Sequence, residues 1–155
     1  MTSKNQLQTK IEQLESELQS FKEQLNNYKE ITIENASVGD TLEDGSIVLQ
    51  KSNGLALLVA PQSTEVQLSW SQEFSDAFFE LKGQGFNPSQ WFIPTKEQLK
   101  LAYNTIPGSF SSTFYWSSTE HNATNACIVY FNFGITYNHL KSNTFCVRAF
   151  RCVTY

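Results

Sequence analysis

A narrow seam of apolar residues in the first thirty positions constrains the fold of this chain more than any other feature. The apolar residues recur at alternating steps of four and three, which is the seven-residue repeat of a coiled coil. The positions between them are polar, so one such helix would bury too little apolar surface to be stable alone. The pattern therefore predicts self-association through Leu7, Ile11, Leu14, Leu18, Phe21, Leu25 and Tyr28.

Charges beside the seam indicate the direction of the helices. Lys10 with Glu15, and Glu17 with Lys22, place opposite charges at flanking positions that meet across a parallel pair. Bulky aromatic residues in the core favour three strands, so we expect a parallel homotrimer, with a dimer as the second choice. The alternative is a single amphipathic helix docked on its own domain, although a docked helix usually has a broader apolar face.

The remaining residues predict one globular α+β domain. We expect the coiled-coil helix over 1–31, a linker over 32–39 and a ligand-binding domain over 40–155. Strands at 45–50 and 55–60 flank the turn dipeptide Asn53-Gly54. Helices are expected over 70–82 and after Thr95, which can cap its helix together with Gln98. The chain after Phe114 is rich in Val, Phe, Tyr and Thr, which predicts β-strands in its C-terminal part. Because helices come first and strands last, the helices should pack against an antiparallel sheet.

Composition and charge exclude several functions. The net charge is -4 and the pI is near 5.1, and basic residues are not clustered, which argues against nucleic acid and anionic membranes as partners. The sequence has neither an apolar run that could insert into a membrane nor an apolar signal segment. We therefore expect synthesis in the cytoplasm without a signal peptide; association with a virion is one destination compatible with this.

Cysteines and histidines do not form a recognisable metal or redox motif. Cys127, Cys146 and Cys152 are odd in number and lack paired spacing, so reduced thiols are expected. His121 and His139 have no carboxylate or second histidine at ligand spacing, which favours surface positions. The sequence predicts no cofactor, no metal and no catalytic residue.

Five motifs follow one another along the chain after about Gly39. They are GSIV from Gly45, GLALLVAP from Gly54, WFIPTKEQL from Trp91, YWSSTE from Tyr115 and VRAFRCV from Val147. As an ordered set they resemble the C-type lectin-fold family, in particular the variable proteins of diversity-generating retroelements, which include phage tail tropism determinants. The resemblance to the formylglycine-generating enzymes is more distant. The family resemblance implies a C-type lectin-like fold whose C-terminal strands and loops form the binding face.

The resemblance also implies that a segment between the WSS and VR motifs is hypervariable. The segment 125–151 resembles such a cassette, and many of its residues can arise by randomising the first two bases of Asn codons. Alternation along one strand would place Ile128, Tyr130 and Asn132 outward, with Val129 and Phe131 packed inward. The predicted ligand-binding residues, expected on one exposed patch, are Ile128, Tyr130, Asn132, Phe133, Ile135, Tyr137, His139, Leu140, Thr144 and Phe145.

These expectations converge on a non-catalytic binding protein, multivalent through its coiled coil, whose partner is a protein or glycan receptor. A structural ornament of a phage or other particle, and a carbohydrate-binding lectin without calcium, are the alternatives. An enzyme like the formylglycine-generating relatives would need Cys146 and Cys152 for copper chemistry, and supporting ligands are scarce. Glu120, Arg148 and Arg151 could contact a ligand, but hydrogen bonds that hold loops together are the favoured interpretation.

The seam generates a first prediction. Light scattering on the full chain should give the mass of a trimer, with a dimer as second choice, because the apolar stripe needs partner helices. A shortened chain beginning at Ala36 lacks the stripe and should be a monomer. Monomeric behaviour of both chains would contradict the coiled coil.

Overall fold

The computed structural model describes residues 3–27 and 31–155. The chain divides into two compact units, Met1–Glu30 and Ile31–Tyr155. None of the helices in the described ranges is long and apolar enough to cross a membrane.

The described residues of the first unit, 3–27, contain one helix, α1 (Lys4–Asn27). Its start is fixed by a reciprocal cap: the Gln6 N–H donates to Ser3 Oγ at 3.3 Å, and the Ser3 N–H donates to Gln6 Oε1 at 2.8 Å. The seam residues from Leu7 to Leu25 are between 48% and 71% exposed. Tyr28, the last predicted core position, lies outside the described residues. The structure shows the helical part of the prediction over Lys4–Asn27, while the coiled coil stays a prediction.

The second unit combines two helices with two sheets, which confirms the predicted α+β class. The elements are β1 (Ile47–Ser52), β2 (Leu55–Val59), β3 (Val66–Ser69), α2 (Ser75–Gly83), α3 (Lys96–Thr105), β4 (Phe114–Glu120), β5 (Asn125–Tyr130), β6 (Ile135–Leu140), β7 (Thr144–Val147) and β8 (Phe150–Thr154). A three-stranded sheet has the order β1-β2-β8, and a five-stranded sheet has the order β3-β7-β4-β5-β6. All neighbouring strands are antiparallel except β4 and β7.

Local sequence signals set two of these elements. The β1–β2 hairpin turns at Asn53 and Gly54, whose φ angles of 51° and 73° match the type I′ turn that Asn-Gly favours. Helix α3 begins with the predicted capping box, in which Thr95 accepts from the Gln98 backbone and the Gln98 side chain accepts from the Thr95 N–H. Both predictions are confirmed.

Helix α2 is shorter than predicted. The sequence placed a helix over 70–82, whereas α2 begins at Ser75. Phe74 adopts a left-handed backbone with φ 45°, which separates the preceding loop from the helix. Trp70 is drawn away from a helical position because its indole N–H donates to the Ser117 carbonyl at 2.8 Å. A tertiary contact therefore overrides the helical periodicity at this end.

Residues 32–39, predicted as a linker, lie along β1. The Gly39 N–H donates to the Val48 carbonyl at 2.8 Å, and Ala36 is buried. The Lys51 ammonium donates to the carbonyls of Ile33 at 2.6 Å and of Ala36 at 2.9 Å. These bonds attach the segment to the sheet.

A hydrophobic core lies against each face of the five-stranded sheet. Tyr115 packs on one side with Leu99 and Ala102 of α3, while Trp116 packs on the other with Ala77 and Leu81 of α2. Adjacent residues of β4 thus point into separate cores, as alternation along a strand requires.

A buried arginine connects the loops around these cores. The Arg148 Nε donates to the Ala60 carbonyl at 2.7 Å, and its Nη1 donates to Ser109 O and, at 3.3 Å, to Glu65 Oε1. The Tyr115 hydroxyl also donates to Glu65 Oε1, at 2.7 Å. Arg148 therefore holds loops together, as the sequence favoured.

Replacing Arg148 by Met should destabilise the fold more at neutral than at acid pH. Burial raises the pKa of the Glu65 carboxyl, while Tyr115 and Arg148 lower it. Without Arg148 the pKa of Glu65 in the folded state rises further above its value in the unfolded chain. A raised folded-state pKa stabilises the fold at low pH, and this stabilisation is lost as the pH rises above the unfolded-state pKa. We expect the deficit, measured by urea unfolding, to widen from about pH 4 to about pH 7, reaching about 3–5 kcal/mol.

Arg151 provides the control for this experiment. Its guanidinium is half-buried and lies over the Trp91 ring at 5.9 Å, with no carboxylate partner among the described ion pairs. Arg151→Met should give a small deficit that does not change over the same pH range. A pH-independent deficit in Arg148→Met would contradict the proposed coupling to Glu65.

Candidate functional site

The pairing of β4, β5 and β6 brings candidate residues onto one face of the five-stranded sheet. Tyr130 lies opposite Phe114 on β4 and opposite Ile135 on β6. Tyr137 lies opposite Ile128. Directly paired residues share a face, and side chains two positions apart on one strand share it too. This face therefore collects alternate residues from three strands.

Six aromatic side chains form a continuous layer that we call the aromatic face. Phe114 stacks on Tyr130 at a centroid distance of 4.3 Å and lies 5.2 Å from Phe145. Each remaining ring has a neighbour in the layer: Phe133 lies 5.5 Å from Tyr130, and His139 lies 5.2 Å from Phe145 and 6.4 Å from Tyr137. The aromatic face consists of Phe114, Tyr130, Phe133, Tyr137, His139 and Phe145.

A buried tryptophan on the same face of the sheet borders this layer. Trp116 is fully buried, and its ring lies 4.9 Å from that of Phe145. Its indole N–H donates to the Leu68 carbonyl at 3.1 Å, which fixes the ring between β4 and β3. Phe145 is consequently half-buried. Solvent exposure therefore differs within the layer: Phe145 is held by packing against Trp116, whereas Phe133 and Tyr137 are exposed.

The structure corrects the prediction that Ile128 is exposed. Ile128 has no exposed surface and belongs to the core cluster that contains Trp70 and Trp116. It lies on the same face as Tyr130, so the alternation was read correctly, but the loop carrying Trp70 and helix α2 cover that part of the sheet. Coverage of a face depends on tertiary packing and is invisible in strand periodicity.

The β5–β6 hairpin presents the most exposed candidates. Asn132 is exposed, and Phe133, Ile135 and Tyr137 are 63%, 44% and 43% exposed. The turn depends on Gly134, which has φ 67° and would place a β-carbon 2.1 Å from Tyr103 Cε1. This glycine therefore fixes the backbone from which Phe133 and Ile135 project.

Two candidates lie apart from the aromatic face. Leu140 is exposed, but alternation turns it away from Tyr137 and His139. Thr144 is also exposed and pairs with Ser69 of β3. The ten predicted residues thus do not form one patch: Ile128 is buried, and these two lie beside or behind the layer.

Lys141 holds the end of β6 in place. It is the only Lys, Arg, Asp or Glu between Asn125 and Val147. Its ammonium pairs with Glu120, donates to the Ala123 carbonyl at 3.0 Å and lies 4.5 Å from the centre of the Trp70 ring. The one charged side chain between Asn125 and Val147 is therefore engaged in structural contacts.

The cysteines offer little reactive chemistry. All three are free thiols, and Cys127 and Cys146 are buried. Burial raises the pKa of both of these thiols, so they stay protonated at neutral pH and are poor nucleophiles. Cys152 is exposed, but it lies on β8 in the three-stranded sheet, whereas Cys146 lies on β7 in the five-stranded sheet. Within the described ranges, His, Cys, Asp and Glu form no group of three that could hold a metal.

Sequence reasoning missed Phe114, the ring at the centre of the aromatic face. It lies outside the segment that resembles a variable cassette, and it is half-buried. A signal was available, because Phe114 stands two positions before the core residue Trp116 on one strand and so shares its face. Phe114 extends the aromatic face beyond the segment 125–151.

Comparison of the chain with protein-family models and with curated proteins gives no match. The geometry of the site therefore carries the functional argument.

The gradation of burial generates a stability prediction. Phe133→Ser should change the free energy of unfolding by less than about 0.5 kcal/mol, because the ring is mostly in solvent. Trp116→Ala should cost about 3–5 kcal/mol by opening a core cavity. Phe145→Ser should lie between them. Urea unfolding of the three variants would contradict the assignment if Phe133→Ser were as damaging as Trp116→Ala.

Proposed function

We propose that this chain is a non-catalytic receptor-binding protein with a C-type lectin-like fold, similar to the variable proteins of diversity-generating retroelements. The aromatic face and the neighbouring residues of the β5–β6 hairpin are its contact surface. A protein or glycan receptor is the partner, and α1 makes the display multivalent as a parallel homotrimer.

The observation that carries the proposal is the contrast between the buried side of β5 and the exposed apolar residues that the following turn and β6 present on the other side. Val129 and Phe131 are buried with α3, whereas Phe133, Ile135 and Tyr137 are exposed large hydrophobic residues. Contiguous apolar surface of this kind is rare on soluble proteins unless it binds something. A fixed layer behind an open one is also what a surface needs if its residues are to vary without loss of the fold.

The chemistry of the open layer suits recognition. Aromatic side chains supply large contact area while only a few rotatable bonds are immobilised. Asn132, Ser142 and Asn143 add uncharged hydrogen-bonding groups nearby along the chain. Because Lys141 is already engaged in structural contacts, binding should depend weakly on ionic strength.

Oligomerisation would add to a weak single-site affinity. Joining several copies makes each later contact intramolecular, which can raise the overall affinity about 10²–10⁴-fold. A parallel bundle places all C-terminal units at the same end, so their contact surfaces can meet one receptor surface together. This would compensate for the modest affinity expected of an individual variable site.

A triple variant tests the contact surface. Phe133→Ser, Ile135→Thr and Tyr137→Thr together should abolish binding to a panel of immobilised glycans and bacterial surface proteins, because they remove the exposed apolar area. Thermal stability should stay close to that of the parent, since all three residues lie at the surface and none belongs to a buried core cluster. Binding is measured by fluorescence on the panel, and stability by circular dichroism.

A matched control removes similar apolar area elsewhere. Val38, Leu55 and Phe79 are 48%, 47% and 77% exposed, and their replacement by Ser, Thr and Ser should leave binding intact. Equal loss of binding in both triple variants would contradict the proposed surface.

Diversification of the segment makes a prediction about the neighbouring DNA. We expect a reverse transcriptase gene and an adenine-rich near-copy of the region encoding Asn125 to Arg151. Their absence would contradict diversification and would leave the proposed contact surface untouched.

A further inference from the structure

The two sheets of the second unit have four edges, and on two of these another segment hydrogen-bonds one residue of the edge strand. On β1, the N–H of Val48 donates to the Asp40 carbonyl at 3.0 Å, and its carbonyl accepts from Gly39. On β8, Phe150 exchanges two backbone bonds of 2.8 Å with Phe92. The third edge, β3, has only four residues. The fourth edge is β6, which has six.

The outer side of β6 carries unpaired backbone groups. Within the described residues, β6 is the last strand of its sheet and pairs with β5 alone. The Lys141 N–H donates inward to the Thr124 carbonyl, and backbone groups of an antiparallel strand alternate direction from residue to residue. His139, Tyr137 and Ile135 therefore bond toward β5. The N–H and C=O groups of Thr136 and Asn138 point outward.

This edge lacks the features that usually protect a sheet from pairing. The sequence ITYNHL contains no Pro, Lys, Glu or Asp, and the β5–β6 register is continuous from Asn125↔Leu140 to Tyr130↔Ile135. Edge strands that must not pair usually carry charges, prolines or bulges. The exposed edge of β6 is therefore compatible with strand addition.

A groove lies between helix α3 and the exposed edge of β6. The groove has a volume of about 440 Å³ and is lined by Thr136 of β6 and by Lys96, Glu97, Lys100, Leu101 and Asn104 of α3. Thr136 faces this groove because it pairs with Val129, which packs with Leu99 of α3. A segment alongside β6 would have the groove on one side and Tyr137 of the aromatic face on the other.

We propose that the partner supplies an extended peptide segment that adds to β6 as a sixth strand of the sheet. This inference rests on the proposed function and specifies its ligand as a polypeptide in extended conformation. The outward groups of Thr136 and Asn138 hydrogen-bond the incoming backbone. Its side chains alternate between the α3 groove and the aromatic face, as in other complexes formed by strand addition.

Strand addition explains how a binding segment can tolerate change. Backbone hydrogen bonds form with any side chains, so a basal affinity persists when Ile135, Tyr137 or His139 is exchanged. Specificity then comes from the side chains that flank the added strand. A second copy of this chain is a poorer occupant, because antiparallel pairing of two β6 edges would bring a second α3 to the same face beside the groove.

The test begins with selection of linear twelve-residue peptides from a displayed library on the full-length parent chain. The selected peptide is then titrated against Thr136→Pro and Thr136→Ala. Proline removes the outward N–H at a position where an edge strand can accept it, whereas alanine keeps the N–H and removes the side chain. We expect at least a tenfold loss of affinity in Thr136→Pro and less than a threefold change in Thr136→Ala.

Amide hydrogen exchange of the parent chain provides a second readout that does not depend on folding of the proline variant. The Thr136 and Asn138 amides should exchange fast in the free protein and become protected when the selected peptide is bound. Unchanged exchange at both amides, equal affinity of the proline and alanine variants, or failure to select any peptide would overturn the inference. A concentration-dependent association of trimers that Thr136→Pro abolishes would identify a second copy as the occupant instead.

The two proposals can fail separately. If no linear peptide binds but the panel of glycans and surface proteins still distinguishes the aromatic triple variant from its control, strand addition is wrong and the contact surface stands. If a selected peptide protects the β6 amides while the triple variant binds the panel like the parent, the aromatic face is not the contact surface. Strand addition would then remain the binding mode of the edge.

Discussion

The ion pair between Arg148 and Glu65 is the contact on which the second unit depends. Arg148 follows β7 directly, and its guanidinium reaches the carbonyls of Ala60, after β2, and Ser109, before β4. Glu65 precedes β3 and also accepts from the Tyr115 hydroxyl. The network therefore ties the three-stranded sheet to the five-stranded sheet. Because Arg148 is buried, its charge must be neutralised locally, and loss of one partner costs more than the pair contributes.

This fixed interior makes an adaptable surface possible. One face of the five-stranded sheet is divided: Trp70 and α2 cover the part around Ile128, while the part around Tyr130 and Tyr137 is open. Side chains in the covered part are constrained by close packing, since a volume change there leaves a cavity or a clash. Side chains in the open part meet solvent and can be exchanged at small cost. The boundary between these regions runs within β5.

The proposed recognition surface combines two kinds of contact with different tolerance to sequence change. The aromatic face depends on the identity of its side chains, because stacking and apolar contact require particular shapes. The edge of β6 offers backbone groups, whose hydrogen bonds are independent of the side chains. A surface with both can change its specificity and keep a minimum affinity, which several copies on a coiled coil would then raise through avidity.

Local signals in the sequence were sufficient for several elements because each depends on nearby residues. The Asn53-Gly54 turn follows from the preference of these residues for positive φ, and the start of α3 follows from the Thr95–Gln98 capping box. The apolar seam predicted the helix α1, because its apolar residues recur every three or four positions, which is about one helical turn. The α+β class followed from the order of helical and strand patterns.

The tertiary structure decided what the sequence could not, namely which surfaces are covered. Periodicity placed Ile128 and Tyr130 on one face of β5, but the loop with Trp70, distant along the chain, buries only the first. The same loop contact shortened α2, and the position of Phe114 opposite Tyr130 required the register of β4 against β5. Strand alternation specifies a direction for each side chain. Whether another segment lies in that direction depends on long-range packing, which no local pattern encodes.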